Sequence, residues 1–442
     1  MTKGFYAVGL IVLAFACGVF IFERIDSAHF RTTKINREDS LSWIEFHTGQ
    51  LVLSFITYLR QVCTPAEFYM WELSTKFVES QVLYVAAKLN IAEHMILADG
   101  TKISISAEQL ASKTSVQNYD FFLRILRYLE ALAILYKNEK GEYSLTRSGE
   151  LLWDKHPLSF RASVITNNEE HFLAFSKLHE SLFETEKNAF QLKYPNYKDV
   201  WDYFGKNPEA SRWFDSYMHS ISQRVSELTI ESFPYFPQFE SVLDVGGGQG
   251  LLIFDIIQTS IEKNNSFVDI ERKYGIFDLS QVVDSDHAKA FLAGKRNQLQ
   301  AICENKFNKR DCDEHFMVDY YAGDFFDAVP SGYACYTLKL ILHDWNDEES
   351  ITILKNIRKA MTEASPNNNP RLLIIENVIE ETTSTSVLRH AQLTIDAIMM
   401  VITNGKERTR EEYERLLTAS QFKIAAVHPT LSNFAIIEAI PA

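Results

Sequence analysis

Cysteine is scarce in this 442-residue chain: Cys17, Cys63, Cys303, Cys312 and Cys335 are scattered and form no C-x-x-C pair. That spacing indicates neither a disulfide framework nor a zinc knuckle, and the thiols read as reduced, in a cytosol-facing protein. A basic surplus is also missing. With 58 acidic against 44 basic residues the net charge is −14. This argues against nucleic acid as a partner, because phosphate binding needs a cationic surface. There is no internal repeat. What is present is an ordinary globular balance, 46% hydrophobic and 23% charged, which excludes collagen-like, low-complexity and wholly disordered chains. The length allows two or three domains of ~150 residues.

The N-terminus carries an uncharged run, Gly4–Phe22, close to the ~20 residues a helix needs to span hydrocarbon. A cleaved secretory signal is the rival reading, but its apolar core is usually ~7–15 residues with a small-x-small site after it. Lys3 precedes the run, while Arg24, Arg31, Lys34 and Arg37 follow it, so the bulk of the chain is expected to face the cytosol. The expectation is a single-pass transmembrane anchor over residues 1–30, a membrane location, and a helical linker over 31–71. Leu51–Leu59 is apolar but short and reads as an amphipathic or core helix.

Residues 72–160 read as helices followed by a small hairpin. Glu72–Leu97 has helical spacing; Ser106 and Gln109 form a capping-box pattern before Lys113; Phe122, Ile125, Leu126 and Leu129 share one helix face. Ile134–Tyr136 and Tyr143–Leu145 flank a turn at Asn138–Gly141. This winged-helix pattern often binds DNA. Here the third helix is broadly apolar and its surroundings are not basic, so docking within a homodimer or onto a second domain is the better reading. From Pro237 onward, short β-rich runs alternate with helices: Ser241–Val245, Tyr274–Phe277, Ala334–Leu338 and Leu372–Ile375. That alternation predicts a mostly parallel α/β sheet, and Ala425–His428 with Phe434–Ala439 predicts an antiparallel edge hairpin.

Three features carry chemistry. Ser241–Gly250 is a strand running into glycines, with Gly246, Gly248 and Gly250 at alternate positions. The spacing fails the dinucleotide fingerprint Gly-x-Gly-x-x-Gly. It matches the Gly-x-Gly-x-Gly loop of S-adenosylmethionine-dependent methyltransferases, with a plain tight turn as the bland alternative. Asp278 at the tip of the next strand suits ribose hydroxyls; Asp324 and Phe325 suit adenine. Finally, His343 follows a strand and precedes a helix capped by Asn346, at the edge where open α/β sheets bind ligands. Glu376 and Glu407 could flank its imidazole and orient it as a base. No metal is expected, because His343-Asp344 has no companion ligands at helical or loop spacing.

The chain resembles the small-molecule O-methyltransferases of the caffeate and acetylserotonin type. The resemblance rests on Leu243-Asp-Val-Gly-Gly-Gly-Gln-Gly250, Phe277-Asp-Leu-Ser-Gln-Val-Val283, Gly323-Asp-Phe-Phe326, Leu342-His-Asp-Trp-Asn-Asp-Glu348 and Gly405-Lys-Glu-Arg-Thr409, in order, and covers roughly Glu72 to the C-terminus. It implies a winged-helix-like dimerisation domain over 72–160 and a Rossmann-like class I methyltransferase domain over 161–442. It also implies S-adenosylmethionine as methyl donor and a small, hydroxylated, aromatic substrate. His343 would be the base with Glu376 and Glu407 beside it; Gly246, Gly248, Asp278, Asp324, Phe325 and Lys339 would contact the cofactor; Phe214 and Met218 would line the acceptor pocket. Departures are the N-terminal run, Ser280 where many members carry proline, and an insertion around Ala288–Phe316. A catalytically silent, membrane-tethered dimer that keeps the cofactor pocket for regulation is the alternative, as is the same fold running other chemistry.

Overall fold

The computed structural model describes residues 43–263, 272–283, 286–307, 312, 318–364, 369–379, 387–430 and 432–442. It begins with two helices, Trp43–Cys63 and Ala66–Lys88. The second stops where Asn90 takes a left-handed φ of 52°, so the helix expected over 72–97 starts and ends earlier. Ser106 and Gln109 close the capping box of Ala107–Lys113 reciprocally. Helix Tyr119–Ala131 buries Phe122, Leu126 and Leu129. Strands β1 (Leu135–Lys137) and β2 (Tyr143–Leu145) then pair antiparallel as the wing.

The remaining strands are β3 (Ser241–Val245), β4 (Lys273–Asp278), β5 (Val318–Ala322), β6 (Cys335–Lys339), β7 (Arg371–Ile379), β8 (Arg408–Thr409), β9 (Phe422–Pro429) and β10 (Phe434–Pro441). They form one sheet in the order β5-β4-β3-β6-β7-β10-β9, with β8 added to β7. Pairing is parallel from β5 through β7 and antiparallel at the β10 and β9 edge. The central strands read as continuous apolar runs because both faces are covered. Val242, Ile276, Leu373 and Ile375 pack on one side with Leu252, Phe254 and Ile257 of helix Leu251–Lys263. Leu243, Val245, Leu338 and Ile374 pack on the other with Ile353 and Leu354 of helix Asp347–Ala364 and Leu416 of helix Arg410–Ala419. The chain leaves β3 to one side and returns to β6 on the other. That reversal opens a crevice at the carboxyl ends of β3 and β6.

Two expectations are corrected. The run Gly4–Phe22 lies outside the described residues, and among those described no helix is long and apolar enough to cross a membrane. The long helices are interrupted by charge: Ala66–Lys88 carries Glu67, Glu72, Lys76, Glu79 and Lys88. The transmembrane anchor, the membrane as partner and the membrane location are accordingly withdrawn. The cysteines are not all reduced either. Cys303, at the end of helix Asp286–Glu304, is bonded to Cys312, both buried inside the insertion. Their nine-residue separation matches no zinc or framework pattern, which is why spacing alone did not pair them.

Candidate active site

The glycine loop begins where β3 ends. The Gly246 N–H donates to the Phe277 carbonyl at 2.8 Å, and Gly246, Gly248 and Gly250 take φ values of 71°, 56° and 79°. A Cβ on Gly246 would stand 2.4 Å from Ile341 Cδ1, and one on Gly250 2.1 Å from Ile276 Cδ1. One on Gly248 would meet nothing within 4 Å, so the loop's middle faces open space. Asp278 accepts the Gly248 N–H at 2.8 Å on one carboxylate oxygen and the Leu279 N–H at 2.7 Å on the other. Burial raises its pKa and those two donors oppose the shift. Each oxygen retains a lone pair for a ligand hydroxyl.

The Gly323 N–H donates to the Asp278 carbonyl at 3.0 Å, which holds the start of the next loop against β4. There Asp324 accepts the Phe326 N–H at 2.8 Å, and the Phe325 ring meets Trp345 edge-on at 5.9 Å. Phe325 Cε1 would lie 3.8 Å from a Cβ on Gly246, so this ring stands over the glycine turn. Beneath the loop, buried Asp244 accepts the Thr337 hydroxyl at 2.6 Å and keeps its second oxygen unpartnered among the described residues. Burial pushes its pKa up to about 6. Lys339 is buried at the end of β6, hydrogen-bonded to the Ser222 hydroxyl. Burial lowers its pKa, and Asp244, Asp255 and Glu376 oppose that. A free carboxylate oxygen, two further carboxylates, an aromatic face and an open glycine loop fit S-adenosylmethionine, which carries a sulfonium, an ammonium, ribose hydroxyls and adenine.

His343 sits in a 3-10 turn, Leu342–Asp344, between β6 and helix Asp347–Ala364. Its Nδ1 lies 3.1 Å from Glu407 and 3.3 Å from Glu376, and all three groups are buried. Glu376 also accepts the Ile341 and Leu342 N–H groups at 2.9 and 2.8 Å, fixing the turn that carries His343. Burial works against the imidazolium, but Glu376, Asp344 and Glu407 together overcome it and raise the His343 pKa. Glu376 is raised in turn by burial. The other ring nitrogen, Nε2, is 3.9 Å from Asp344, too far for a hydrogen bond.

Ligand-capable atoms of His343, Glu376 and Glu407 lie within 4.8 Å of one another, a grouping that the search for ligands at local spacing did not see. Reading the sequence also missed Arg408 and Asp396. Arg408 is fully buried; it donates to the Leu342 and Trp345 carbonyls at 2.7 Å each and to Asp347 at 2.9 Å. Asp396 accepts the Glu407 N–H at 2.9 Å. A Cβ on Gly405 would fall 1.9 Å from the His343 carbonyl oxygen, so the Gly405–Thr409 segment lies directly on the histidine turn. The signal for Arg408 was its place beside Glu407; Asp396 carried none.

A cavity of about 590 Å3 is walled by Asn167, His171 and Phe175 on one side and Leu393, Ala397 and Ile398 on the other. Phe214 packs behind that wall, stacked on Phe204 at 4.4 Å in a cluster that includes Ile398. Met218 is half-buried on the same helix, Pro208–Ser232.

An O-methyltransferase domain matches residues 175–423, and an O-methyltransferase dimerisation domain matches residues 71–155. The phenazine O-methyltransferase of Lysobacter antibioticus is 28% identical over 382 residues, 86% of this chain and 98% of that protein. The solved structure of LaPhzM matches with a TM-score of 0.70 and 29% identity, covering 86% of this chain and all (100%) of that one. A structure of the O-methyltransferase NcsB1 from neocarzinostatin biosynthesis, in complex with S-adenosylmethionine and 2-hydroxy-5-methyl naphthoic acid, matches at 25% identity and TM-score 0.60, covering 82% of this chain and 96% of that one. The chain belongs to the S-adenosylmethionine-dependent small-molecule O-methyltransferase family. S-adenosylmethionine is its methyl donor.

Proposed function

We propose that this chain methylates a hydroxyl of a small aromatic molecule, with His343 as the base that takes the hydroxyl proton. Residues 72–160 would serve dimerisation and 161–442 the chemistry. The observation that carries the reading is the buried imidazole faced on one nitrogen by Glu407 at 3.1 Å and Glu376 at 3.3 Å, at the sheet edge that also carries the glycine loop. When bound, S-adenosylmethionine supplies an electrophilic methyl on an excellent leaving group. The protein's task is then to align the acceptor and remove its proton. The carboxylates hold the Nδ1 proton and leave Nε2 as the atom that receives the new one. A phenol has a pKa near ~10. Raising the imidazole pKa brings the two closer and makes the transfer less uphill, at the expense of the neutral imidazole fraction near pH 7. Gly246, Gly248, Asp278, Asp324 and Phe325 would hold the donor, and buried Lys339 would support that pocket through Ser222.

The test is His343→Gln, which keeps roughly the volume and a polar tip. Turnover should fall by roughly 10²–10⁴, the range of general-base catalysis, while calorimetry shows S-adenosylmethionine affinity unchanged. Wild-type turnover by the variant would reduce His343 to packing. Activity should survive EDTA, since protein side chains satisfy the imidazole Nδ1; loss restored by a divalent ion would make His343, Glu376 and Glu407 ligands instead.

A further inference from the structure

His171 stands in the wall of the 590 Å3 cavity, a size typical of small-molecule sites. It closes a π-helical turn, Asn167–His171, inserted between helices Arg161–Thr166 and Phe172–Phe175. Such single-turn bulges are rare and concentrate at functional sites. The bulge places Asn167 and His171 on the same wall, where Asn167 Oδ1 lies 3.0 Å from His171 Nδ1. The Asn167 amide nitrogen donates to the Ser163 hydroxyl at 3.2 Å. Its oxygen therefore faces the ring, Nδ1 carries the proton, and Nε2 is a bare acceptor. Burial lowers the His171 pKa to about 4, so no second proton sits there at neutral pH. Nε2 is buried and has no partner among the described residues. A polar atom left so costs stability, on the order of 1–3 kcal/mol, unless a ligand fills it.

The opposite wall, helix Val387–Ile402, also carries Asp396, which holds the Glu407 N–H beside His343. One helix thus borders the cavity and steadies the base. We infer that His171 Nε2 is the specificity-determining contact of the acceptor pocket, receiving a hydrogen bond from a second hydroxyl or an N–H that the aromatic acceptor carries in addition to the group methylated. This rests on the O-methyltransferase reading with His343 as base.

The probes are 1-naphthol and 2-naphthol and the dihydroxynaphthalene isomers, whose second hydroxyl stands at graded distances from the first. Labelled S-adenosylmethionine reads turnover. At least one diol should exceed its parent naphthol in kcat/KM by roughly tenfold, the worth of one hydrogen bond. His171→Phe should bring that diol down to its parent and leave the parent and the KM for S-adenosylmethionine unchanged. A variant that keeps the diol preference, or a wild type that shows none, overturns the inference. A measurement on the unaltered chain guards against a misfolded variant. In protein labelled with 15N at histidine, the His171 Nε2 signal should be that of a bare nitrogen and should move upfield with a diol but not with a naphthol. A protonated Nε2 or an unmoved signal overturns the inference. A moving signal without any methyl transfer leaves His171 standing and overturns the proposed activity instead.

Discussion

At His343 the geometry sets a pH dependence whose sign can be worked out. Glu376, Asp344 and Glu407 raise the imidazole pKa above its ordinary ~6.5. A base must be unprotonated to act, so kcat/KM should rise with pH along a limb displaced to the alkaline side of 6.5. Glu407→Gln removes one raising charge and should move that limb to lower pH; a steady-state profile of both proteins checks it, and a limb that stays put would detach Glu407 from the base. His171 has the opposite sign. Its folded pKa of about 4 lies below the unfolded ~6.5. The unfolded chain therefore binds the extra proton first, and stability falls as pH drops from 6.5 through 4. Urea midpoints across that window should slope less in His171→Phe than in wild type. At the donor side, Asp278→Ala should weaken S-adenosylmethionine binding by roughly 1.5–3 kcal/mol, the size of a hydrogen bond to a charged group; calorimetry showing equal affinity would place the ribose elsewhere.

Among the elements, the Gly405–Thr409 segment does the most for the least chain. Glu407 reaches His343 while its neighbour Arg408 turns inward and ties together the Leu342 and Trp345 carbonyls. Replacing Arg408 by Met keeps apolar volume but strands both carbonyls. Each costs on the order of 1–3 kcal/mol, so Arg408→Met should lose about 2–6 kcal/mol in urea unfolding and slow turnover by loosening the histidine turn. The glycine loop, Asp278 and the His343 turn were legible because each is a local pattern: glycines after an apolar strand, an acid at a strand tip, a cap before a helix. Strands β5 and β8 were not. Val318–Ala322 carries Asp319 with two tyrosines, and β8 is two residues long, so neither shows an apolar run. The π-turn at His171 was equally hidden, since its residues, Asn-Asn-Glu-Glu-His, read as polar helix and only packing reveals an unpartnered nitrogen.

For the whole molecule, the described N-terminal helices leave Phe68, Met70, Trp71 and Phe77 more than half exposed. Large apolar side chains grouped on one surface mark an interface, and this surface adjoins and overlaps the dimerisation domain at residues 71–155. Light scattering should report a dimer, and Phe77→Glu should shift it toward monomer; an unchanged mass would move the interface elsewhere. How the molecule was assembled from distant stretches also explains what spacing could not foresee. His343, Glu376 and Glu407 meet only because β6, β7 and β8 are neighbours in the sheet. The Cys303–Cys312 bond has a practical consequence of its own. It closes a short loop, separation nine, worth on the order of 2–3 kcal/mol by chain entropy. Thiol reagents are commonly added to keep methyltransferases active in the test tube. For this chain they would be a reactant, and protein prepared with and without them would be two chemical species, distinguishable by a mass change of two hydrogens and by their urea midpoints.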